Sequence, residues 1–316
     1  MSHSPIPPQN DPDRHDPRPP AGTSAGAVLR AAWSQGAVML PGVFNALTAR
    51  LAERLGYRGL YFSGGALSAG WAGLPDVGLV TQTEFVEQLD MITRATTLPV
   101  LADADTGFGE ALNVARTVQH YERVGAAGLH LEDQQLPKRC GHLSGKNLVD
   151  PAEMVAKIRA ATQARLDPSF LIVARTDARS VEGFEAARDR ASRYIEAGAD
   201  AVFPEALESL EEFARFAREV PAPLIANMTE FGKSPLLEFN ELASLGYKAV
   251  LYPLTAFRAA MNAAEAILTE LRQTGHQRDW LPRMQTRARL YDLLDYRDWE
   301  ERDRALWGGS APDSLA

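Results

Sequence analysis

The chain has 316 residues, a formal net charge of −8 and a single cysteine, Cys140. Hydrophobic residues make up 45% of it, enough for a large core, and its length suits either two domains or one α/β barrel of about 250 residues. The acidic balance argues against a nucleic-acid partner, the lone cysteine excludes an intrachain disulfide and fits a reducing, cytoplasmic compartment, and no apolar run is long enough to span a membrane.

The first 25 residues are predicted to form a disordered tail. They contain seven prolines among Asp, Arg and Ser residues, and such a segment cannot bury enough surface to offset its ordering entropy. It has no apolar stretch of the kind found in secretory signals, and Asp11, Asp13 and Asp16 argue against a transit peptide. We therefore expect the folded domain to begin at about residue 26.

Beyond the tail, short apolar runs alternate with segments of helical periodicity. The runs are continuously hydrophobic, which is typical of strands covered on both faces. Eight strand-then-helix units favour a (β/α)8 TIM-type barrel over residues 26–274. A doubly wound sheet is the alternative, but no Gly-x-Gly-x-x-Gly motif follows the first strand. The predicted strands are 37–40, 59–62, 99–102, 128–131, 170–174, 201–203, 224–226 and 249–252, and the predicted helices are 46–55, 83–96, 112–124, 151–164, 183–197, 207–220, 240–245 and 255–273.

The residues after the eighth helix are predicted to serve assembly. A helix is expected over 283–295, with Leu290, Leu293 and Leu294 among its apolar residues, and Trp299 and Trp307 follow it. A barrel closed by eight helices has no internal need for this segment. We therefore expect residues 275–316 to pack on another subunit and drive oligomerisation; the alternative is that they fold back on their own barrel.

Polar residues follow nearly every predicted strand. In barrels of this type the catalytic residues lie at the carboxyl ends of the strands, so these side chains should converge on one rim. The residues at these strand ends, including two glycines whose backbone N–H groups can serve as donors, are Tyr61, Ser63, Gly64 and Gly65 at the second strand, Asp103 and Asp105 at the third, Glu132, Asp133 and the loop of Cys140 at the fourth, Arg175 and Asp177 at the fifth, Glu205 at the sixth, Asn227 and Thr229 at the seventh, and Arg258 after the eighth.

Asp103 and Asp105 are predicted to bind Mg²⁺. Residues i and i+2 of a strand face the same way, so both carboxylates should point to the same side. Two such charges need a cation, and Mg²⁺ takes one or two carboxylates while keeping positions for water and substrate. The alternative is that they only cap the strand end. Zinc is not expected, because no His/Cys cluster has the required spacing.

Cys140 lies in the sequence Lys138-Arg139-Cys140-Gly141-His142. Nearby positive charge lowers the pKa of a thiol and favours thiolate, so this cysteine is expected to exchange a proton or attack an electrophile. The alternative is a buried structural cysteine.

Arg175 and Arg258 indicate an anionic substrate, because guanidinium binds carboxylate in a two-pronged geometry. Together with Mg²⁺ and backbone donors from residues 63–65, they suit a substrate with several carboxylates and a reaction that develops negative charge. The alternative for either arginine is a surface ion pair.

Several motifs resemble the isocitrate lyase and phosphoenolpyruvate mutase superfamily, and within it the 2-methylisocitrate lyases. The similarity runs from about residue 28 to 298 and leaves out the proline-rich tail. The motifs are Tyr61-Phe-Ser63-Gly-Gly, Asp103-Ala-Asp105-x-Gly-Phe-Gly, Leu131-Glu132-Asp133-Gln134, Lys138-Arg-Cys-Gly-His142, Ala174-Arg175-Thr-Asp, Phe203-Pro-Glu205-Ala, Asn227-Met-Thr229, Leu251-Tyr-Pro253 and Met284-Gln-Thr-Arg287.

The resemblance implies a Mg²⁺-dependent barrel enzyme, usually a homotetramer that exchanges its C-terminal helices. It places Asp103 and Asp105 at the metal, gives Cys140, Tyr61, His142 and Lys138 catalytic positions, and makes Phe203, Leu251 and Pro253 an apolar niche for a substrate methyl group. The positions matched to substrate contact are Ser63, Gly64, Gly65, Cys140, Gly141, Arg175, Glu205, Asn227, Thr229, Arg258 and Arg287.

The implied reaction is a retro-aldol cleavage of 2-methylisocitrate, a tricarboxylate, to pyruvate and succinate. By this resemblance Cys140 protonates the carbon that becomes part of succinate, and Tyr61 is a candidate for the base that takes the hydroxyl proton. The nearest alternative is a lyase for 2,3-dimethylmalate or a similar 2-hydroxy-dicarboxylate. A phosphoenolpyruvate mutase, an oxaloacetate hydrolase and a non-catalytic carboxylate-binding barrel are further alternatives.

Overall fold

Eight parallel strands form a barrel in the computed structural model, which describes residues 23–307. Hydrogen-bonded neighbours run β6-β5-β4-β3-β2-β1-β8-β7, and an isolated parallel bridge between Val202 and Leu224 joins the two ends. The barrel prediction is therefore confirmed. The strands are β1 (Val38–Val43), β2 (Leu60–Phe62), β3 (Val100–Asp103), β4 (Gly128–Glu132), β5 (Leu171–Thr176), β6 (Ala201–Pro204), β7 (Ile225–Asn227) and β8 (Ala249–Tyr252).

Helices surround the strands. Most begin at a side-chain cap: Asn45, Thr81 and Asp150 each accept a hydrogen bond from a backbone N–H of the first turn, which satisfies an otherwise unpaired donor. The helices of the described chain are α1 (Ala25–Ser34), α2 (Ala46–Arg54), α3 (Gly64–Gly70), α4 (Gln82–Thr93), α5 (Ala111–Arg123), α6 (Pro151–Ala164), α7 (Phe184–Glu196), α8 (Leu210–Glu219), α9 (Phe239–Ser244), α10 (Thr255–Thr274), α11 (Arg287–Leu293) and α12 (Tyr296–Leu306).

Three of these helices, α1, α3 and α12, were not predicted. Helix α3 starts at Gly64, shortly after β2, and its three glycines and short length hide any helical period. Helix α11 is shorter than the helix expected over 283–295, because residues 278–283 form a separate 3₁₀ turn.

Helix α1 closes one end of the barrel. Its Leu29, Ala32 and Trp33 pack into the same apolar cluster as the inward-facing residues of the strands, among them Leu40 and Leu101. Gly26 lies directly against the backbone of Ser169 and Phe170, where a Cβ would come within 2.4 Å of the Ser169 carbonyl oxygen. These contacts come before β5, at its amino end, so the opposite, carboxyl end of the strands is left for the polar residues.

The last barrel helix, α10, and the segment that follows it expose large apolar side chains. Helices α10 and α12 have no buried residue, and the side chains of Leu268, Trp299 and Trp307 are 65, 59 and 67% exposed. Residues 275–307 contact the barrel at α2, where Arg50 and Arg54 pair with Asp295. The predicted tail, residues 1–25, lies almost wholly outside the described residues. Within residues 23–307 no helix is long and apolar enough to cross a membrane.

Candidate active site

A polar cavity of about 50 Å³ opens at the carboxyl ends of the strands. Most of the residues singled out from the sequence line it, although they come from the ends of seven different strands, β2 to β8. Those lining it are Tyr61, Ser63, Gly65, Asp103, Lys138, Cys140, Gly141, His142, Arg175, Glu205, Asn227 and Thr229, together with Phe203, Leu251 and Pro253.

Asp103 and Asp105 do not share a face as the strand-parity argument expected. Strand β3 ends at Asp103, and Asp105 has a left-handed backbone with φ of 47°, so the chain turns between them. Asp103 lines the cavity and accepts hydrogen bonds from the backbone N–H groups of Gly64 and Asp105 at 3.1 and 2.9 Å. Although burial opposes its charge, His130, Lys138 and the N–H of Asp105 lower the pKa of Asp103 to about 2.

Lys138 joins Asp105 to a carboxylate that the sequence did not single out. Its buried Nζ lies 2.5 Å from an oxygen of Asp105 and 2.5 Å from an oxygen of Asp76. Despite desolvation, these two carboxylates and Glu132 raise the pKa of Lys138 well above its usual value, so the ammonium stays charged. Asp76 lies in the loop between α3 and α4, which contains glycine and proline. The only feature of the sequence that could have pointed to it is that it is a carboxylate in the loop region after β2.

Tyr61 is buried against a histidine inside the barrel. Its hydroxyl lies 2.8 Å from Nε2 of His130 and donates to Asp103 at 3.3 Å. Burial first, and then the charge of Asp103, raise the pKa of Tyr61 well above its usual value, and burial lowers that of His130 to about 4. A phenol that stays protonated is a hydrogen-bond donor, so the structure argues against Tyr61 as the base. His130, in the middle of β4, was missed because a lone histidine in an apolar strand resembles core.

Cys140 is less acidic than its sequence neighbours suggested. Burial raises the pKa of the thiol above its usual value, and Glu205 and Asp76 add to the effect, while a hydrogen bond from the backbone at His142 and the charge of Arg175 oppose it. The predicted cations are engaged elsewhere: Lys138 is paired with carboxylates, and Arg139 donates to the carbonyl of Ser144. The thiol is therefore protonated at neutral pH, and the expectation of a thiolate was wrong.

His142 ties the Cys140 loop to two other elements. Its Nδ1 accepts the backbone N–H of Lys233 at 2.9 Å, so Nε2 carries the proton, and Nε2 lies 2.6 Å from Glu205. Gly232 leaves room for the ring, since a Cβ there would come within 2.6 Å of it. One ring nitrogen is hydrogen-bonded to the backbone and the other lies against a carboxylate, which suits a positioning role better than proton exchange.

Arg175 is buried at the centre of three carboxylates. It lies 3.3 Å from Glu132, 3.0 Å from Asp177 and 3.5 Å from Glu205, and its guanidinium stacks over the ring of Phe203 at 5.1 Å. Burial disfavours ionisation of Glu205, but Arg175 and His142 outweigh it and lower the pKa of that carboxyl well below its usual range. Asn227 donates to Glu205 at 3.1 Å, so this corner of the cavity is fixed before any ligand binds.

Two predicted substrate arginines do not line the cavity. Arg258 lies on α10, where it stacks over Phe231 and is 3.6 Å from Glu230. Arg287 is exposed at the start of α11. Their contact with substrate remains a prediction, and within one chain the geometry brings neither to the other site residues.

Comparison with known proteins identifies the family. A family model described as phosphoenolpyruvate phosphomutase matches residues 29–272. A 2-methylisocitrate lyase from Aeropyrum pernix is 54% identical over 266 residues, which is 84% of this chain and 85% of that protein. The chain belongs to the phosphoenolpyruvate mutase and isocitrate lyase superfamily. Agreement among such relatives confirms the expected enzyme class, a carbon–carbon lyase.

Solved structures of the superfamily share the fold. A 2,3-dimethylmalate lyase has a TM-score of 0.85 and 34% identity, with 93% of this chain and 99% of that chain covered. A phosphonopyruvate hydrolase in complex with oxalate and Mg²⁺ has a TM-score of 0.80 and 32% identity, with 91 and 99% covered. Because one superfamily fold hosts several reactions, the substrate must be argued from the residues of the site.

Gly141 is a position where the site leaves no room for a side chain. A Cβ there would lie 2.4 Å from Nη2 of Arg175 and 2.4 Å from Cγ of Glu205. We expect Gly141→Ala to fold but to lose about 10²-fold in kcat/KM, because displacement of reacting groups by about 1 Å costs that much. Steady-state kinetics checks it. Gly73→Ala is the control: its positive φ of 64° imposes backbone strain, but nothing lies within 4 Å of the added Cβ. Equal losses for both variants would contradict the packing argument.

Proposed function

We propose that the protein cleaves 2-methylisocitrate to pyruvate and succinate in a Mg²⁺-dependent retro-aldol reaction. The observation that carries the proposal is the pairing, in one small cavity, of a protonated thiol with a carboxylate-binding arginine that stacks on an apolar wall. The 2-methylisocitrate lyase relatives support the substrate.

The charge of the site supports a bound divalent cation. Six carboxyl groups lie at or beside the cavity, and burial raises the pKa of one of them, Glu132, well above its usual value. The other five, those of Asp76, Asp103, Asp105, Asp177 and Glu205, still outnumber the three cationic side chains, Lys138, Lys146 and Arg175. A tricarboxylate would be repelled by this excess unless a cation accompanied it.

The donor set fits Mg²⁺ in particular. Within residues 23–307 no group of three or more His, Cys, Asp or Glu side chains forms a ready-made cage, but Mg²⁺ needs only one or two carboxylates besides water and substrate. Asp103, with Asp105 beside it, would hold the ion, and one buried oxygen of Glu132 has no hydrogen-bond partner in the described structure. When bound, the ion would polarise substrate oxygens as a Lewis acid.

The residues of the chain supply the remaining steps. Arg175 holds a substrate carboxylate through charge-assisted hydrogen bonds. The hydroxyl oxygen gives up its proton and becomes the keto oxygen of pyruvate as the bond between its carbon and the neighbouring carbon breaks. The neighbouring carbon keeps the electron pair and accepts the thiol proton of Cys140, and the proton released from the hydroxyl restores the thiol, so the proton count balances. A raised thiol pKa suits this direction, because the acid must be protonated before the bond breaks.

The apolar side of the cavity fits the extra methyl group. Phe203, Leu251 and Pro253 line it together, and Phe203 lies under the guanidinium of Arg175. In 2-methylisocitrate one carbon carries both a methyl and a carboxylate, so a single group can satisfy the apolar wall and the arginine at once.

A coupled pyruvate assay tests the proposal. We expect kcat/KM to be highest for 2-methylisocitrate in a panel with isocitrate and 2,3-dimethylmalate. Chelation by EDTA should abolish turnover, and added Mg²⁺ should restore it. Equal kcat/KM for all three substrates would refute the specificity, a preference for 2,3-dimethylmalate would favour the alternative lyase, and activity in EDTA would refute the metal dependence.

Leu251 provides a specificity prediction. We expect Leu251→Thr to lower the ratio of kcat/KM for 2-methylisocitrate over isocitrate by about tenfold, since a methyl group in an apolar pocket is worth about 1–3 kcal/mol. The control is Val250→Thr, because Val250, the preceding residue of β8, packs in an apolar cluster with residues such as Phe213 and Leu242 and does not line the cavity. An unchanged ratio for Leu251→Thr would remove Leu251 from substrate discrimination.

We propose further that the enzyme is cytoplasmic and works as a homotetramer. The exposed aromatic and aliphatic side chains of α10 and α12 support burial against another subunit, and exchange of these helices would bring Arg287, and with it Arg258, toward a neighbouring cavity. Light scattering at micromolar concentration tests the assembly, and a monomeric mass would count against it.

A further inference from the structure

In the loop between β4 and α6, hydrogen bonds fix the backbone on both sides of Cys140. The loop is closed at its base, where Gln134 and Leu148 form an antiparallel bridge and Gln135 donates to the carbonyl of Asn147. On one side of the cysteine, the buried side chain of Gln134 binds both backbone groups of Arg139, accepting its N–H at 2.9 Å and donating to its carbonyl at 2.8 Å. The residue before Cys140 is thereby fixed.

On the other side, a buried lysine fixes the residue after the cysteine. The ammonium of Lys146 donates to the carbonyl oxygen of Gly141 and to Asp177 at 2.8 Å. Its side chain is 2% exposed, and a buried ammonium costs several kcal/mol of desolvation unless it is paired. Its contacts therefore hold it to this one geometry.

Asp177 connects this lysine to the substrate arginine. The same carboxylate that binds Lys146 accepts two hydrogen bonds from Arg175, at 3.0 and 3.2 Å. Asp177 is itself fixed, because its backbone N–H donates to the buried Asp133 at 2.9 Å. The chain Gly141–Lys146–Asp177–Arg175 thus sets the position of the thiol loop relative to the arginine.

We infer that Lys146 is a positioning residue, which with Gln134 clamps the backbone on both sides of Cys140 and so places its thiol toward the carbon it protonates. The inference rests on the proposed role of Cys140. A purely structural lysine would stabilise the fold without affecting the thiol, whereas this one binds the peptide group next to it.

The test uses the only thiol of the chain as a reporter. Lys146→Met in the full-length protein should lower kcat by about 10²-fold with little change in KM. It should also speed alkylation of Cys140 by iodoacetamide at pH 7 by roughly tenfold, because a loop released from its clamp exposes the thiol and lowers its pKa towards the ordinary value, which raises the thiolate fraction. The matched control is Lys157→Met, which removes a buried lysine that pairs with Glu153 on α6, and it should change neither quantity.

The two measurements separate the possible outcomes. Unchanged kcat, or a lower kcat with unchanged or slower alkylation, would overturn the inference; slower alkylation would indicate an electrostatic role instead. If Lys146→Met does not fold, as judged by circular dichroism, Gln134→Ala decides in its place, since it cuts the other arm of the clamp without removing a charge and must show the same pair of changes. Alkylation needs no substrate, so it remains decisive even if the wild-type enzyme fails to turn over 2-methylisocitrate.

Discussion

Cys140→Ser should fold and bind Mg²⁺ like the wild type but lose about 10²–10⁴-fold in kcat, the usual contribution of a general acid. Serine is nearly isosteric with cysteine, but its hydroxyl is a far weaker acid than a thiol. The rate of pyruvate release measures the loss, and calorimetric titration with Mg²⁺ shows whether the rest of the site is intact. Near-normal turnover would remove Cys140 from the mechanism.

A relocated thiol is the control for this result. Ser144 lies on the same loop, four residues further on, and is exposed. Introducing Ser144→Cys into the Cys140→Ser protein restores one thiol per chain at the wrong place. It should give no recovery of activity, and recovery would show that the position of the thiol is unimportant.

Arg175→Met should be the most destabilising substitution in the site. It leaves the buried carboxylates of Glu132, Asp177 and Glu205 without their shared counter-charge, and breaking a buried ion pair costs about 3–5 kcal/mol. Chemical denaturation measures the loss of unfolding free energy. Loss of the carboxylate contact should also lower kcat/KM by about 10³-fold, equivalent to about 4 kcal/mol.

The pH dependence of that destabilisation gives a second measurement. In the wild type the pKa of Glu205 is held low, so its contribution to stability is present at neutral pH and is lost as the pH falls through the folded-state pKa. Without Arg175 the carboxylates are pushed towards the protonated form, and a pKa above its unfolded value favours folding at lower pH. The deficit should therefore be smaller at pH 5.5 than at pH 8.

Arg179→Met is the matched substitution four residues away. Arg179 pairs with Glu208 and Glu212 at the surface, where such pairs contribute about 0–1 kcal/mol. A stability loss equal to that of Arg175→Met would show that the site charges are not the cause.

The barrel was predictable because each strand is an apolar run between helical patterns. Even the ends were close: β8 was predicted over the residues that form it, and the glycines at 56, 125, 198 and 246, each of which has positive φ, end their helices as expected. The polar residues at the strand ends likewise predicted that Asp103, Cys140, Arg175 and Glu205 lie together, and they line one cavity.

Features that depend on burial and on contacts between distant residues were not predictable. Lys138, which is close to Cys140 in the sequence, forms ion pairs with Asp105 and Asp76 instead. Only the folded structure shows that burial has the largest effect on the pKa of the thiol. The expectation that Asp103 and Asp105 point the same way assumed that both lie in one strand, but β3 ends at Asp103. Nothing in the sequence indicated that His130 contacts Tyr61. Residues that act between subunits, the role expected of Arg287, cannot be assigned from one chain's periodicity.

Helix α1 shows that the folding unit is longer than the segment matched by the family model. The match begins at residue 29, within the helix. The cap at Ser24 and the close contact of Gly26 with the chain just before β5 both precede that residue. A shortened chain starting at residue 29 would lose this cap and this contact, which fix the first turn of α1. The remaining turns, which carry Leu29, Ala32 and Trp33 over Leu40 and Leu101, would then be less stable as a helix. A shortened version for expression or crystallisation should therefore start no later than residue 23.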